Sequence, residues 1–421
     1  MNKSFKLAYN SIVVAAAALA AMLIGAIVLA AVGADIGKAY AVILTEPLKD
    51  MIGITEIVVR AVPLSLVALG IAVAFRSGIL NIGAEGQILM GILASSATAI
   101  ALPGLPRYLL VPLAILAGAA GGAFWAGIAG VLKARLGVNE ILSTVMLNYI
   151  AAQFYTFLLR GPMMDPEELL TGSGTPQTIR MPRAAWLDRL IPGTRLHTGV
   201  FIALGLAVAV FFLLWRTTGG FRMRAAGAEA KAARYAGVKV ERYLIIAMLL
   251  SGAFAGIAGS VEILGVHRRA IEGVSGGYGF TGIVVALFGG LHPAGIIPAS
   301  MFFGLLLLGA DMTQRLAGVP ANMVLVLQGA IILAIVSARQ FMNNPYVQDK
   351  AARALSRLFG KGEPPAPPGS LEACPDPSDS VDPCLADEPE AVGSTAGGEP
   401  DHRDIEAPDR GPDGNPKEAT R

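Results

Sequence analysis

Asn81, Glu85 and Gln87 fall within seven residues of an otherwise apolar stretch, and Gly78, Gly83 and Gly86 punctuate the same run. Glycine permits close backbone approach and unwinding, so a helix can break here beside three side chains that exchange hydrogen bonds. A carboxylate at membrane depth is costly and needs a water-lined cavity or a partner, which makes Glu85 and Gln87 candidates for a translocation pathway, with Asn81 beside them. A structural reading stands next to it, in which Glu85 pairs with Arg76 and the glycines serve helix packing. Asn148 lies deep in another apolar run, where its amide can bond a neighbouring helix or a passing solute. Tyr278, Phe280 and Thr281 combine ring faces with hydroxyls, a set that suits a nucleobase or sugar ring and equally suits anchoring at a membrane boundary.

Other polar residues carry less chemistry. Asn139 and Glu140 follow Gly137 at the head of an apolar run, where an Asn cap and an early Glu complement helix amides. Glu262 sits close to the end of its run, within reach of the interface, and is left off the site. His197, His267 and His292 are dispersed, with no second ligand at helical or finger spacing, so neither a metal nor a general base is assigned. Ser and Thr in the apolar runs are expected to bond their own helix backbone. No GxxxxGK[ST] phosphate loop occurs; the chain itself is expected to bind no cofactor and to be no enzyme. Both cysteines, Cys374 and Cys384, lie near the C-terminus without CxxC spacing.

The elements that must position these residues are membrane helices. Of 421 residues, 54% are hydrophobic and 15% charged, more apolar surface than a water-soluble core of ordinary composition buries. Runs near residues 11–33, 55–75, 84–102, 109–131, 139–159, 198–215, 243–265, 294–310 and 319–338 approach the roughly 20 residues that cross a bilayer. A shorter run at 277–290 either crosses or re-enters. The fold class is therefore all-α: a polytopic helical bundle of about ten transmembrane segments. The first run resembles a signal peptide but is long for one, and reads as a retained signal anchor. With a cytoplasmic N-terminus, Arg76, Lys133, Arg135 and the basic stretch from Arg216 to Arg242 all fall inside; Arg268, Arg269 and the polar 160–197 loop are the exceptions.

Residues 362–421 hold fifteen Asp and Glu against four Lys and Arg and begin in a Pro-rich segment. That composition buries too little apolar surface to order the chain, so the boundary is set after residue 361, with an acidic disordered cytoplasmic tail following the transmembrane domain. The positive excess on residues 1–361 follows the loops and lacks the aromatic interleaving of a nucleic-acid surface; nucleic acid is excluded as a partner. An internal repeat pairs GIAVAFRSGILNIG from Gly70 with GIVVALFGGLHPAG from Gly282, pointing to paired channel-lining segments, although Gly- and Ala-rich helices also match by chance.

Residues 217–243, TTGGFRMRAAGAEAKAARYAGVKVERY, are the remaining organised loop. Gly219 and Gly220 are expected to end the preceding helix, Ala228 to Tyr235 to form a short one and Gly237 to end it. Such a helix between two spans fits a partner's groove and passes rigid-body motion to its flanks; an ordinary basic cytoplasmic loop is the alternative.

The loop resembles the coupling loop of ABC-importer permeases, with Ala232, Ala233 and Gly237 matching the paired alanines and later glycine of that pattern. AFRSGILNIGAEGQILMG (74–91), GVNEILSTVMLNYIA (137–151) and GYGFTGIVVALFGGLHPAG (277–295) are similar to the permeases for nucleosides, simple sugars and branched-chain amino acids, most of all the nucleoside type. The resemblance spans roughly residues 50–345. It implies alternating access in the bacterial cytoplasmic membrane, with both termini inside. ATP would be used by a separate cytoplasmic ATPase meeting Gly227, Ala228, Ala232, Ala233, Arg234, Tyr235 and Gly237. A second, paralogous permease and an extracytoplasmic solute-binding protein are the other implied partners, besides the lipid bilayer. Nucleosides are the implied solute, with sugars or branched-chain amino acids as alternatives. A rival from another class is a proton-coupled secondary transporter using Glu85.

Overall fold

The computed structural model describes residues 35–171 and 175–317, with isolated positions between 19 and 33 and at 329. The expected runs at 11–33 and 319–338 and the acidic tail lie wholly or mostly outside the described residues. Twelve α-helices are labelled here: α1 (Ile36–Thr45), α2 (Met51–Arg76), α3 (Ala84–Ala101), α4 (Arg107–Leu136), α5 (Glu140–Arg160), α6 (Pro166–Thr171), α7 (Gly199–Arg216), α8 (Thr218–Ala228), α9 (Ala230–Tyr235), α10 (Val240–Glu262), α11 (Tyr278–Phe288) and α12 (Pro293–Ala317). Among the described residues seven helices are long and apolar enough to span a membrane: α2, α3, α4, α5, α7, α10 with its π turn Ile263–His267, and α12. The eighth expected crossing is α11. Its 11 residues rise about 16 Å, half of the roughly 30 Å hydrocarbon layer.

Burial separates the helices into two groups. The most apolar window of α2 is 89% buried, whereas those of α4, α5 and α7 are 28% buried. Helix α2 is thus the axis of the bundle, packed by α10, α12, α11 and α7, and the outer helices present apolar side chains such as Leu116, Phe124, Phe157 and Phe212 outward. In lipid, an outward apolar face needs no protein cover.

Small residues decide how closely the inner helices approach. A Cβ on Gly256 of α10 would stand 2.1 Å from the Gly118 carbonyl oxygen of α4, and one on Gly91 of α3 would stand 2.4 Å from the Gly256 Cα. Three backbones therefore meet where side chains would hold them apart, and dispersion between them is the main attraction available in a medium as apolar as themselves.

The sequence repeat corresponds to a repeated backbone turn. Helix α2 ends with the Ile79 amide donating to the Ala74 carbonyl (3.2 Å), and α11 ends with Leu291 donating to Ala286 (2.9 Å). Gly78 and Gly290, at matching places, both take positive φ, 81° and 73°. This is the six-to-one closure of a helix C-terminus, which favours glycine. After each turn a new helix starts, α3 in one copy and α12 in the other.

The 217–243 loop differs from expectation at its start. Thr217, in extended conformation, separates α7 from α8 and caps α8 through its hydroxyl, which accepts the Gly220 amide (3.0 Å). Gly219 and Gly220 lie inside α8 instead of ending α7, because a Cβ at Gly220 would strike the Leu213 carbonyl oxygen and its absence lets α8 fold back on α7. The short helix begins at Ala230, after Glu229, whose side chain caps it.

The three-backbone contact is checked by comparing Gly256→Leu with Gly205→Leu, a position with open space around it. Overpacking costs about 1–3 kcal/mol, so the unfolding midpoint of the detergent-purified Gly256 variant is expected several degrees lower, and the Gly205 variant near wild type.

Candidate functional site

Helix α11 is gripped at both ends. Gly277, in left-handed conformation, precedes it, and the Glu85 carboxylate accepts the amides of Gly277 (3.3 Å) and Gly279 (2.8 Å). At the other end the Arg76 guanidinium donates to the carbonyls of Leu291 (2.8 Å) and Gly290 (3.3 Å). An anion therefore meets the amide pole and a cation the carbonyl pole, the arrangement a helix dipole favours. Glu85 and Arg76, which the sequence offered as a possible pair with each other, instead take opposite ends of the same short helix.

Asn81, Gln87 and Asn148 close the break between α2 and α3. The Asn81 Nδ2 donates to Gln87 Oε1 (2.9 Å) and to Ser251 Oγ (2.8 Å), while its Oδ1 accepts Gln87 Nε2 (2.9 Å) and the Gly83 amide (3.0 Å). Asn148 reaches over from α5: its Nδ2 donates to the Ile82 carbonyl and its Oδ1 accepts the Gly86 amide, both at 2.9 Å. All three side chains are buried. Of the two readings of Asn148, bonding across to another helix is the arrangement observed. The polar groups replace the backbone bonds that a broken helix loses away from water.

Tyr278 and Thr281 are half-buried on α11, and Phe280 between them is 50% exposed. Tyr278 packs against the core, so the three do not form one stacking platform. Asn139 caps α5, its Oδ1 accepting the amides of Ile141 (2.9 Å) and Leu142 (3.4 Å). Glu262 is more enclosed than its place near a helix end implied: it is 6% exposed and lies 3.3 Å from His267 Nε2. His197 is buried, and burial pushes its imidazole below its ordinary value, opposed by Glu262.

The loop residues divide into an inner and an outer set. Ala233 is buried with Ala226 and Val240, seating α9 on α8 and α10. Ala228, Ala232, Arg234, Tyr235 and Gly237 are exposed, Tyr235 at 93%, and Arg234 pairs with Glu241 at 2.6 Å. Gly227 faces the bundle: a Cβ there would stand 2.4 Å from the Arg76 carbonyl oxygen and 2.6 Å from the Gly78 nitrogen. The loop therefore rests backbone to backbone on the break. Trp215 reinforces the junction, with the guanidinium groups of Arg76 and Arg224 5.0 and 5.8 Å from its ring and the His292 ring at 4.7 Å.

One cluster escaped the sequence reading. Arg60, inside α2, donates to Asp311 of α12 at 2.6 Å, and Glu56, one turn before it, holds Arg195. Glu56 and Arg60 stand four apart in an apolar run, a spacing that signals a pair on one helix face; Asp311, 251 positions away, carries no such signal.

Residues 53–336 match the family described as branched-chain amino acid transport system / permease component. The chain belongs to this family. A glucose ABC transporter permease of Haloferax volcanii is 37% identical over 334 residues, 77% of this chain and 86% of that protein. The guanosine permease of Bacillus subtilis is 35% identical over 315 residues, 75% of this chain and 89% of that protein, and the nucleoside permease of Lactococcus lactis is 35% identical over 348 residues, 81% and 94%. Together with its apolar helices, this makes the chain a multi-pass membrane component of an ABC transport system, a class that works with ATPase and binding-protein partners.

Glu85→Ala removes both acceptors from the α11 amides, at about 1–3 kcal/mol for each buried donor left bare. Hydrogen exchange of the 277–280 segment is expected to quicken in that variant, and to lie between it and wild type in Glu85→Gln, which keeps one carbonyl acceptor.

Proposed function

We propose that the chain is the membrane-spanning subunit of an ATP-driven importer that carries nucleosides inward by alternating access across the bacterial cytoplasmic membrane, both termini lying inside. The observation that carries this reading is the exposed two-turn helix α9, joined through Gly227 to the break at Gly78. A partner that grips α9 moves α8 with it, and the bare glycine contact leaves no side chain to absorb the displacement before it reaches the α2–α3 break.

A separate ATPase would close on ATP and push on α9, with Tyr235 and Ala232 on the contact surface. A solute-binding protein would deliver the solute at the opposite face, and a second permease would complete the pathway. Nucleosides are favoured by the guanosine and nucleoside relatives, each matched over three quarters or more of this chain. Sugars are the second reading, favoured by the glucose permease at 37% identity. Glu85, Gln87, Asn81 and Asn148 serve the pathway by fixing its broken helices, and Tyr278, Phe280 and Thr281 are the side chains of α11 that meet the solute.

Tyr235 contributes almost no buried surface, so Tyr235→Ala is expected to insert and fold as wild type. ATP-dependent uptake of labelled guanosine into vesicles holding the assembled system should fall at least about tenfold, the size of a lost aromatic anchor at an interface, and retention of the ATPase in pull-downs should fall with it. Unchanged uptake would remove α9 from the coupling path, and uptake by the chain alone on a proton gradient would favour a secondary carrier.

A further inference from the structure

The cluster around Arg60 lines a half-open cavity of about 250 Å³ between the start of α2, the turn at residues 193–195 and the last turns of α12. Its charges balance: Arg60, Arg195 and Arg315 against Asp50, Glu56 and Asp311. Balanced charge gives no net field for an ion, while Ile52, Leu308 and Met312 supply an apolar wall. The volume falls below the roughly 300–1,000 Å³ of pockets for drug-sized ligands and fits one or two small rings.

The polar groups facing this space are unequally engaged. Both oxygens of Glu56 bind Arg195. The hydroxyls of Thr55 and Thr194 donate to the carbonyls of Ile52 and Ile191. Asp50 caps α2 through the Gly53 amide. Asp311 differs, because Arg60 reaches only its Oδ2 and the side chain is 47% exposed. The Arg60 Nε–H is buried without a hydrogen-bond acceptor, with a Glu56 carboxylate oxygen 3.8 Å away. A buried donor left unpaired in a native fold calls for an explanation. Here an open carboxylate oxygen stands on an ion pair at the edge of a neutral, partly apolar cavity, and the guanidinium that holds it is not fully satisfied by the protein.

We infer that this cavity is an entry site for the transported solute, in which Asp311 and Arg60 bind the adjacent hydroxyls of a ribose or sugar ring and the wall formed by Ile52, Leu308 and Met312 covers its apolar face. A vicinal diol donates one hydrogen to the carboxylate and accepts from the guanidinium, and it carries no charge to upset the balance. The inference rests on the importer reading and names where that importer first meets its solute.

The test uses uptake in the assembled system with two probes, guanosine and 2′,3′-dideoxyguanosine, which lacks the diol. Wild type taking up neither probe would defeat the nucleoside reading itself and leave no solute for the site. Given wild-type guanosine uptake, Asp311→Asn is expected to lower kcat/KM for guanosine about ten- to hundredfold, the range of a lost charge-assisted hydrogen bond, while the dideoxy probe changes less than threefold. A purely structural ion pair would lower both probes by the same factor, and that result overturns the inference, as does no change in either. Met312→Trp fills the cavity from its apolar wall and leaves the ion pairs in place; it is expected to raise KM for guanosine with little change in kcat. An unaltered KM in a variant present at wild-type levels in the membrane would place the solute elsewhere.

Discussion

A helix of 11 residues leaves its first amides and last carbonyls without partners inside the helix, and in an apolar medium those ends must be met from outside it. Helix α11 is tolerable because Glu85 meets its amide pole and Arg76 its carbonyl pole. Neither charge stands alone in its partly buried place. Each finds in the helix the opposite partial charge, and the two flank a single break, so one interruption of α2–α3 supplies both poles of α11. The dipole term is worth about 0.3–1 kcal/mol at an exposed end and up to about 2 kcal/mol where partly buried. The larger effect is the backbone desolvation these contacts offset, since a buried group without a partner costs about 1–3 kcal/mol.

The break has needs of its own, which explains the amides around it. Between Arg76 and Ala84 the chain makes no regular helix; Asn81 takes up the Gly83 amide, Asn148 the Ile82 carbonyl and Gly86 amide, and Gln87 braces Asn81. Side-chain amides suit this position because each carries donors and an acceptor without charge. Asn81 bonds Gln87 in both directions and so locks the rotamers of each. The result is a stiff interruption, and a stiff interruption is what a force applied at Gly227 requires if it is to reach α11 undiminished.

Much of this was legible in the residues. Apolar length gave the helices that are described to within a few positions, and the glycine-punctuated run at residues 78–86 correctly marked a break with polar groups turned inward. The matching of Gly70–Gly83 to Gly282–Gly295 proved to be a repeated helix end, because Gly78 and Gly290 occupy the same left-handed turn. What stayed hidden was partnership. Glu85 and Arg76 lie nine positions apart and invite pairing with each other; that both are spent on a segment some 190 to 215 residues away is a property of tertiary packing. The same holds for Arg60 and Asp311. Gly219 and Gly220 read as helix breakers by type, yet a glycine also sits within a helix where a neighbouring backbone comes too close for a side chain, as Leu213 does at Gly220.

The contacts also form an order along which motion would travel. From α9 the path crosses to Gly78 through Gly227, from the break to both ends of α11 through Arg76 and Glu85, and from α2 to α12 through Arg60 and Asp311. The first two links are backbone contacts or charge-assisted hydrogen bonds of 2.8–3.3 Å, which transmit displacement. The last is a single ion pair with a carboxylate 47% exposed, so it yields more readily. Under the importer proposed above, that asymmetry suits alternating access: the half that would receive force moves as one body, and the half holding Arg60 and Asp311 rearranges through an ion pair.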